Sequence, residues 1–171
     1  GIVFLLPFLY FLARGMLRRP LVPKLLAMFV LGGMQGLLGW YMVKSGLVDN
    51  PHVCLYRLNA DLTLAFVIYA FMLWVALGLL LDSGRDHVAR ASACVRLSAG
   101  LLGLLVLVTI MSGGFVAGLK AGYVYNTFPL MGGHWIPEAM FLQEPLWRNF
   151  FENMATVQFD HRVLAMLTLA G

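Results

Sequence analysis

Ser112-Gly113-Gly114-Phe115-Val116-Ala117-Gly118 and, further on, Gln158-Phe159-Asp160-His161-Arg162 are the two stretches whose reading decides the fold. The first ends an apolar run, residues 97–119, long enough as a helix to cross a hydrocarbon core of about 30 Å. The second introduces another apolar run, residues 163–170. Between them lie Tyr125-Asn126-Thr127-Phe128-Pro129 and Gly132-Gly133-His134-Trp135-Ile136-Pro137, whose glycines and prolines break helical periodicity. The chain leaves an apolar medium through one helix, crosses a long loop and returns in another. Three ionisable residues, Asp160, His161 and Arg162, sit just inside the point of return.

The rest of the chain repeats this alternation. Hydrophobic residues make up 61% and charged residues 12%, and the charges fall between apolar runs. That excludes an ordinary soluble domain and predicts an all-α, polytopic transmembrane bundle. Complete helices are expected at residues 25–43, 58–81 and 97–119, with partial ones at 1–13 and 158–171. Pro7 is tolerated in the first where neighbours cover the freed carbonyl. Loops are expected at 14–24, where Pro20 and Pro23 act as breakers, at 44–57, at 82–96 and at 120–157. The first and last runs are too short to span, so the sequence is expected to be a piece cut through helices. Arg14, Arg18 and Arg19 follow the first run rather than precede it, unlike a signal peptide.

Charge sets the orientation. Arg14, Arg18, Arg19 and Lys24 share one short loop and Arg85, Arg90 and Arg96 another. The positive-inside rule places both in the cytoplasm or matrix, so Asp61 and His161 fall near the outer face. The net charge of +4 is accounted for by these helix ends, which argues against nucleic acid as a partner. Cys54 and Cys94 then lie on opposite sides of the membrane and cannot pair, and no metal-type cysteine spacing is present.

Two segments share one plan. Gly32-Gly33-Met34-Gln35-Gly36, an outer loop and Arg57-Leu58-Asn59-Ala60-Asp61-Leu62 match the second glycine helix, its loop and Phe159-Asp160-His161-Arg162. The repeat aligns Asp61 with His161, as in other membrane proteins with internal duplication. A neutral imidazole inside a helix, facing a bundle interior, is a natural axial ligand for heme iron. Arg162 beside it offers a planar fork to a propionate. The alternative is an interfacial histidine paired with Asp160. The glycine faces (Gly32, Gly36 and Gly39; Gly114, Gly118 and Ala121) read as close helix packing or as room for a flat porphyrin. His52, His87 and His134 read as loop residues. Trp40, Tyr41, Tyr56, Trp135 and Trp147 fit an interfacial aromatic belt in contact with membrane lipid. No phosphate loop, zinc spacing or nucleophile triad is present.

The wording resembles heme A synthases of the mitochondrial and alphaproteobacterial type. It does so at Gly118-Leu119-Lys120-Ala121-Gly122, residues 125–129, residues 132–137, residues 149–153 and Gln158-Phe159-Asp160-His161-Arg162. The resemblance implies the middle of an eight-helix protein made of two four-helix halves, with residues 1–81 ending the first and 97–171 opening the second. It implies oxidation of the C8 methyl of heme O to a formyl group, giving heme A for cytochrome c oxidase, in the bacterial plasma membrane or mitochondrial inner membrane. His161 would ligate heme b, with its partner histidine beyond this sequence. The family reads Arg-Leu-x-x-His-Leu where this chain has Arg57-Leu58-Asn59-Ala60-Asp61-Leu62, so Asp61 occupies a ligand position at the heme O site. The family's catalytic glutamate would precede Gly1, leaving no catalytic residue here and an inactive fragment. Heme O synthase, a redox donor and a second copy of the chain are the further partners it implies. Two other classes stand beside it: a bis-histidine heme b electron carrier similar to cytochrome b561, and a heme-free transport or assembly subunit.

The orientation gives the first prediction. In intact cells or mitoplasts a membrane-impermeant maleimide should modify Cys54 and spare Cys94, and equal labelling of both would refute it.

Overall fold

The computed structural model describes residues 1–46, 55–81 and 92–171. His52, Cys54, His87 and residues 82–91 of the expected inner loop lie outside the described residues. Among the described residues six α-helices follow in order: α1 (Ile2–Ala13), α2 (Val22–Gly46), α3 (Leu55–Leu81), α4 (Ala93–Leu119), α5 (Asn149–Glu152) and α6 (Met154–Ala170). Three of them, α2, α3 and α4, are long and apolar enough to cross a membrane. With 27 residues each, α3 and α4 reach about 40 Å, so their ends stand outside a core of about 30 Å. The all-α membrane architecture read from the sequence is the one observed.

The helices extend beyond the expected bounds for local reasons. Pro23 lies in the first turn of α2 instead of breaking it, because a first-turn residue has no intrahelical acceptor for the N–H that proline lacks. Residues 93–96 belong to α4 rather than to the preceding loop, because Ser92 caps the helix by accepting from Val95 N at 3.3 Å. Likewise α6 starts at Met154 rather than 158. The Asn153 side chain accepts from Ala155 N at 2.9 Å and Thr156 N at 3.2 Å.

Each long helix packs on its neighbours in sequence: α1 on α2, α2 on α3, α3 on α4, and α4 on α6. Neighbours run antiparallel, as shown by Leu55 at the start of α3 against Gly118 near the end of α4, and by Leu102 of α4 against Gly171 after α6. Small residues permit the approach of α3 and α4. A β-carbon on Gly114 would fall 2.5 Å from Asn59 Oδ1, and one on Gly118 would fall 2.7 Å from Leu55 Cδ2. The glycines of α2 differ, since a β-carbon on Gly32, Gly36 or Gly39 would meet nothing within 4 Å among the described residues.

The connection from α4 to α6 is built on two asparagines. Asn149 is fully buried and its amide is completely paired. Its Nδ2 donates to the carbonyls of Gln143 (2.8 Å) and Leu146 (3.0 Å), and its Oδ1 accepts from Gln143 N (2.9 Å) and Asn153 Nδ2 (3.1 Å). Asn153 Nδ2 also donates to Ala139 O at 2.9 Å. Gly132 and Gly133, with φ of 64° and 90°, make the tight turn that lets Met131 and His134 bridge. Positive φ at both central residues is what a two-residue reversal of this hand requires. The loop is therefore a folded cap on the end of the α4–α6 pair.

Candidate functional site

His161 lies seven residues into α6, half-buried against α4. Its ring edge rests on Gly113, where a β-carbon would come within 3.1 Å of Cε1. Its Nδ1 is 2.8 Å from Ser112 Oγ, and Ser112 Oγ donates to Thr109 O at 2.7 Å. A hydroxyl has one proton. With that proton on Thr109 O, Ser112 accepts from His161 and the neutral ring is the Nδ1–H tautomer. The lone pair of the imidazole is then on Nε2. Metal-binding imidazoles are commonly oriented in this way, with the remote N–H on an oxygen acceptor. A turn further along the seam, Thr109 Oγ1 and Thr168 Oγ1 are 2.8 Å apart, which fixes the register of α4 against α6.

Arg162 is turned elsewhere. Its Nη1 donates to Thr127 O at 2.7 Å and its Nη2 to Tyr125 O at 2.9 Å, and its guanidinium lies 5.9 Å from the Phe128 ring centroid. One turn earlier, Gln158 Nε2 donates to the same Tyr125 carbonyl at 2.9 Å. The two side chains hold the 125–127 segment of the loop onto α6. The fork expected to meet a propionate is thus engaged by backbone carbonyls.

Asp61 lies six residues into α3, at a depth from its helix start similar to that of His161 in α6. Its Oδ1 accepts from Gln35 Nε2 of α2 at 2.8 Å, and the same nitrogen donates to Asp61 O at 3.0 Å. Gln35 Oε1 is buried without a donor among the described residues. Arg57 stacks over the Tyr41 ring, with Cζ 4.7 Å from the centroid. His134 is an exposed loop residue 3.9 Å from Glu138. Asp61 and His161 lie on different helix pairs, and no cluster of three His, Cys, Asp or Glu suited to a metal ion occurs among the described residues.

The partners of two candidate residues escaped the sequence reading: Ser112 for His161 and Gln35 for Asp61. Ser112 shows no spacing signal, since it precedes the glycine pair as many small residues do. Gln35 is visible as the one amide on an apolar helix, but its partner on another helix is not.

Fold and site together define an integral membrane protein of antiparallel helices, with an imidazole on the α4–α6 seam under a folded loop. The chain belongs to the COX15-CtaA family of cytochrome oxidase assembly proteins, whose sequence model matches residues 1–171. It is 57% identical over 96% of its length to the heme A synthase of Nitrosospira multiformis, and 53% over 99% to that of Nitrosomonas eutropha. It is 48% identical over 99% of its length to the heme A synthase COX15 of Arabidopsis thaliana. These alignments take in 46%, 48% and 39% of the relatives, so the chain spans about half the length of the curated proteins it matches. No solved structure matches the chain.

The tautomer assignment is directly testable. In protein carrying 15N-histidine, His161 should give a protonated Nδ1 and an unprotonated Nε2. Ser112→Ala removes the acceptor and should bring up the Nε2–H form. A wild-type ring already protonated on Nε2 would overturn the assignment.

Proposed function

We propose that this chain is the central part of a heme A synthase, acting in the oxidation of the C8 methyl of heme O to the formyl of heme A for cytochrome c oxidase. The single observation that supports the reading best is His161, with its Nδ1–H tied to Ser112 and its Nε2 lone pair left for a ligand bond. In this reading residues 1–81 end a first four-helix half and residues 97–171 open a second. Heme O is the substrate, and a redox donor and heme O synthase are partners of the whole protein.

The residues present fit a heme b iron at His161. Gly113 leaves space beside the ring, Ser112 keeps Nε2 unprotonated, and the seam between α4 and α6 limits rotation of the imidazole. Arg162 and Gln158 hold the outer loop down over the same helix end. Such a heme would supply a one-electron redox centre. A second histidine ligand would come from outside this sequence, as the family resemblance implies.

Asp61 fits a heme O iron poorly. A carboxylate oxygen is a weaker axial ligand than imidazole for heme iron, and Oδ1 is occupied by Gln35. The aspartate serves instead as a bridge between α2 and α3, and in this reading the heme O site is weakened. An electron carrier with two histidine pairs on facing helices gains no support, since His161 is the one histidine within a described helix.

Two experiments test this reading in the intact protein that contains the sequence. Wild-type protein should show a low-spin, six-coordinate heme b spectrum. His161→Ala should lose that heme or turn it high-spin, with helix content and membrane insertion retained. A low-spin spectrum unchanged in correctly inserted His161→Ala protein would remove His161 from the ligand set. Separately, Asp61→His should raise both heme O retention and heme A yield, measured by extraction and chromatography. Equal conversion by the aspartate protein and its histidine variant would refute the ligand position assigned to Asp61.

A further inference from the structure

Asn59 is 4% exposed, and its Oδ1 has no donor among the described residues. The oxygen is pressed onto α4 at Gly114, where a β-carbon would fall 2.5 Å away. A Cα–H···O contact is the most that this surface offers it. Because the oxygen end faces α4, the nitrogen end of the amide is turned away from that helix. The side chain also borders an open cleft of about 450 Å³ on one face of the α3–α4 pair. The rest of the wall includes Tyr56, Thr63 and Val67 of α3 and Met111 and Phe115 of α4.

The other hydroxyls of that wall are spent. Tyr56 donates to Glu152 Oε1 at 2.8 Å, and Thr63 donates to its own helix at Asn59 O, 2.7 Å away. This leaves the Asn59 amide as the polar anchor of an otherwise apolar groove. The groove follows Tyr56, Asn59 or Ala60, Thr63 and Val67, the repeat of a single helix face, so it runs along the helix axis. Its depth is also informative. Asn59 lies roughly 3 Å along the helix axis from Arg57, toward the apolar body of α3. That is the boundary between headgroups and hydrocarbon, where the ester carbonyls of glycerolipids lie. Tyr56 and Arg57, residue types of the membrane interface, stand just above it.

We propose that this cleft is a binding site for a membrane glycerolipid. Asn59 Nδ2 donates to an ester carbonyl, and the acyl chain lies along Thr63, Val67 and Met111. The ligand class follows from the groove: a donor and no charge at the anchor, a long apolar wall below it, and an anchor at ester depth. The site is separate from His161 and does not depend on the heme reading.

The test uses the intact protein in detergent, offered dioleoyl phosphatidylcholine or its ether-linked analogue, which lacks the ester carbonyls, with retention read by native mass spectrometry. Wild type should retain the ester lipid about fivefold better, the worth of one ordinary hydrogen bond. Asn59→Leu should remove that preference. Val67→Trp, which keeps the amide but fills the groove, should lower retention of both lipids. Equal retention of ester and ether lipid by wild type overturns the proposal, and so does an ester preference that survives in Asn59→Leu. Retention of no lipid by wild type also overturns it, and would mean that protein covers the cleft. The wild-type comparison and Val67→Trp decide the matter even if Asn59→Leu fails to fold.

Discussion

The hydroxyl of Ser112 carries one proton, and the direction it takes governs the seam between α4 and α6. Pointed at Thr109 O, it makes Ser112 an acceptor for His161 and leaves Nε2 as the basic nitrogen. Within a membrane, apolar side chains gain little by moving from lipid to protein, so helix association relies on close packing and such polar contacts. The Thr109–Thr168 and Ser112–His161 pairs hold the two helices in one register. With the register fixed, the imidazole stands beside Gly113, where a β-carbon would crowd its edge at 3.1 Å.

Helix α6 has two stripes with two roles. His161 and Thr168 face α4, whereas Gln158 and Arg162, four residues apart, face the loop and grip its carbonyls. Asn149 and Asn153 complete the loop from the other end, and Asn153 also caps α6. The loop that links the two helices is thereby braced by the helix carrying the imidazole. Tyr56 of α3 joins the same cap through Glu152, which also lies 3.5 Å from Arg148. Polar side chains at the membrane surface thus do for the loop what small residues and hydroxyls do for the helices.

The pair α2–α3 follows the same logic with different chemistry. A half-buried carboxylate and amide join the two helices through Asp61 and Gln35, in place of an imidazole and a hydroxyl. The equivalence suggested by the repeat holds for depth and for the presence of a cross-helix polar pair. It does not extend to the glycines. Gly113 and Gly114 lie against side chains of neighbouring helices, while Gly32, Gly36 and Gly39 face open space among the described residues.

The sequence by itself determined the helical membrane class, the number and order of the long helices, the family wording and the candidacy of His161. These depend on hydropathy and local order, which solvent transfer imposes run by run. Helix ends were less legible, because capping by Ser92 or Asn153 outweighs the charge and turn signals nearby. Only the tertiary structure decided that His161 pairs with Ser112, that Arg162 binds loop carbonyls, and that Asp61 is held by Gln35. Each of those rests on a donor and an acceptor far apart in the chain, and the pairing depends on interhelical register. Register is set by where small residues let backbones approach, and local sequence does not encode it.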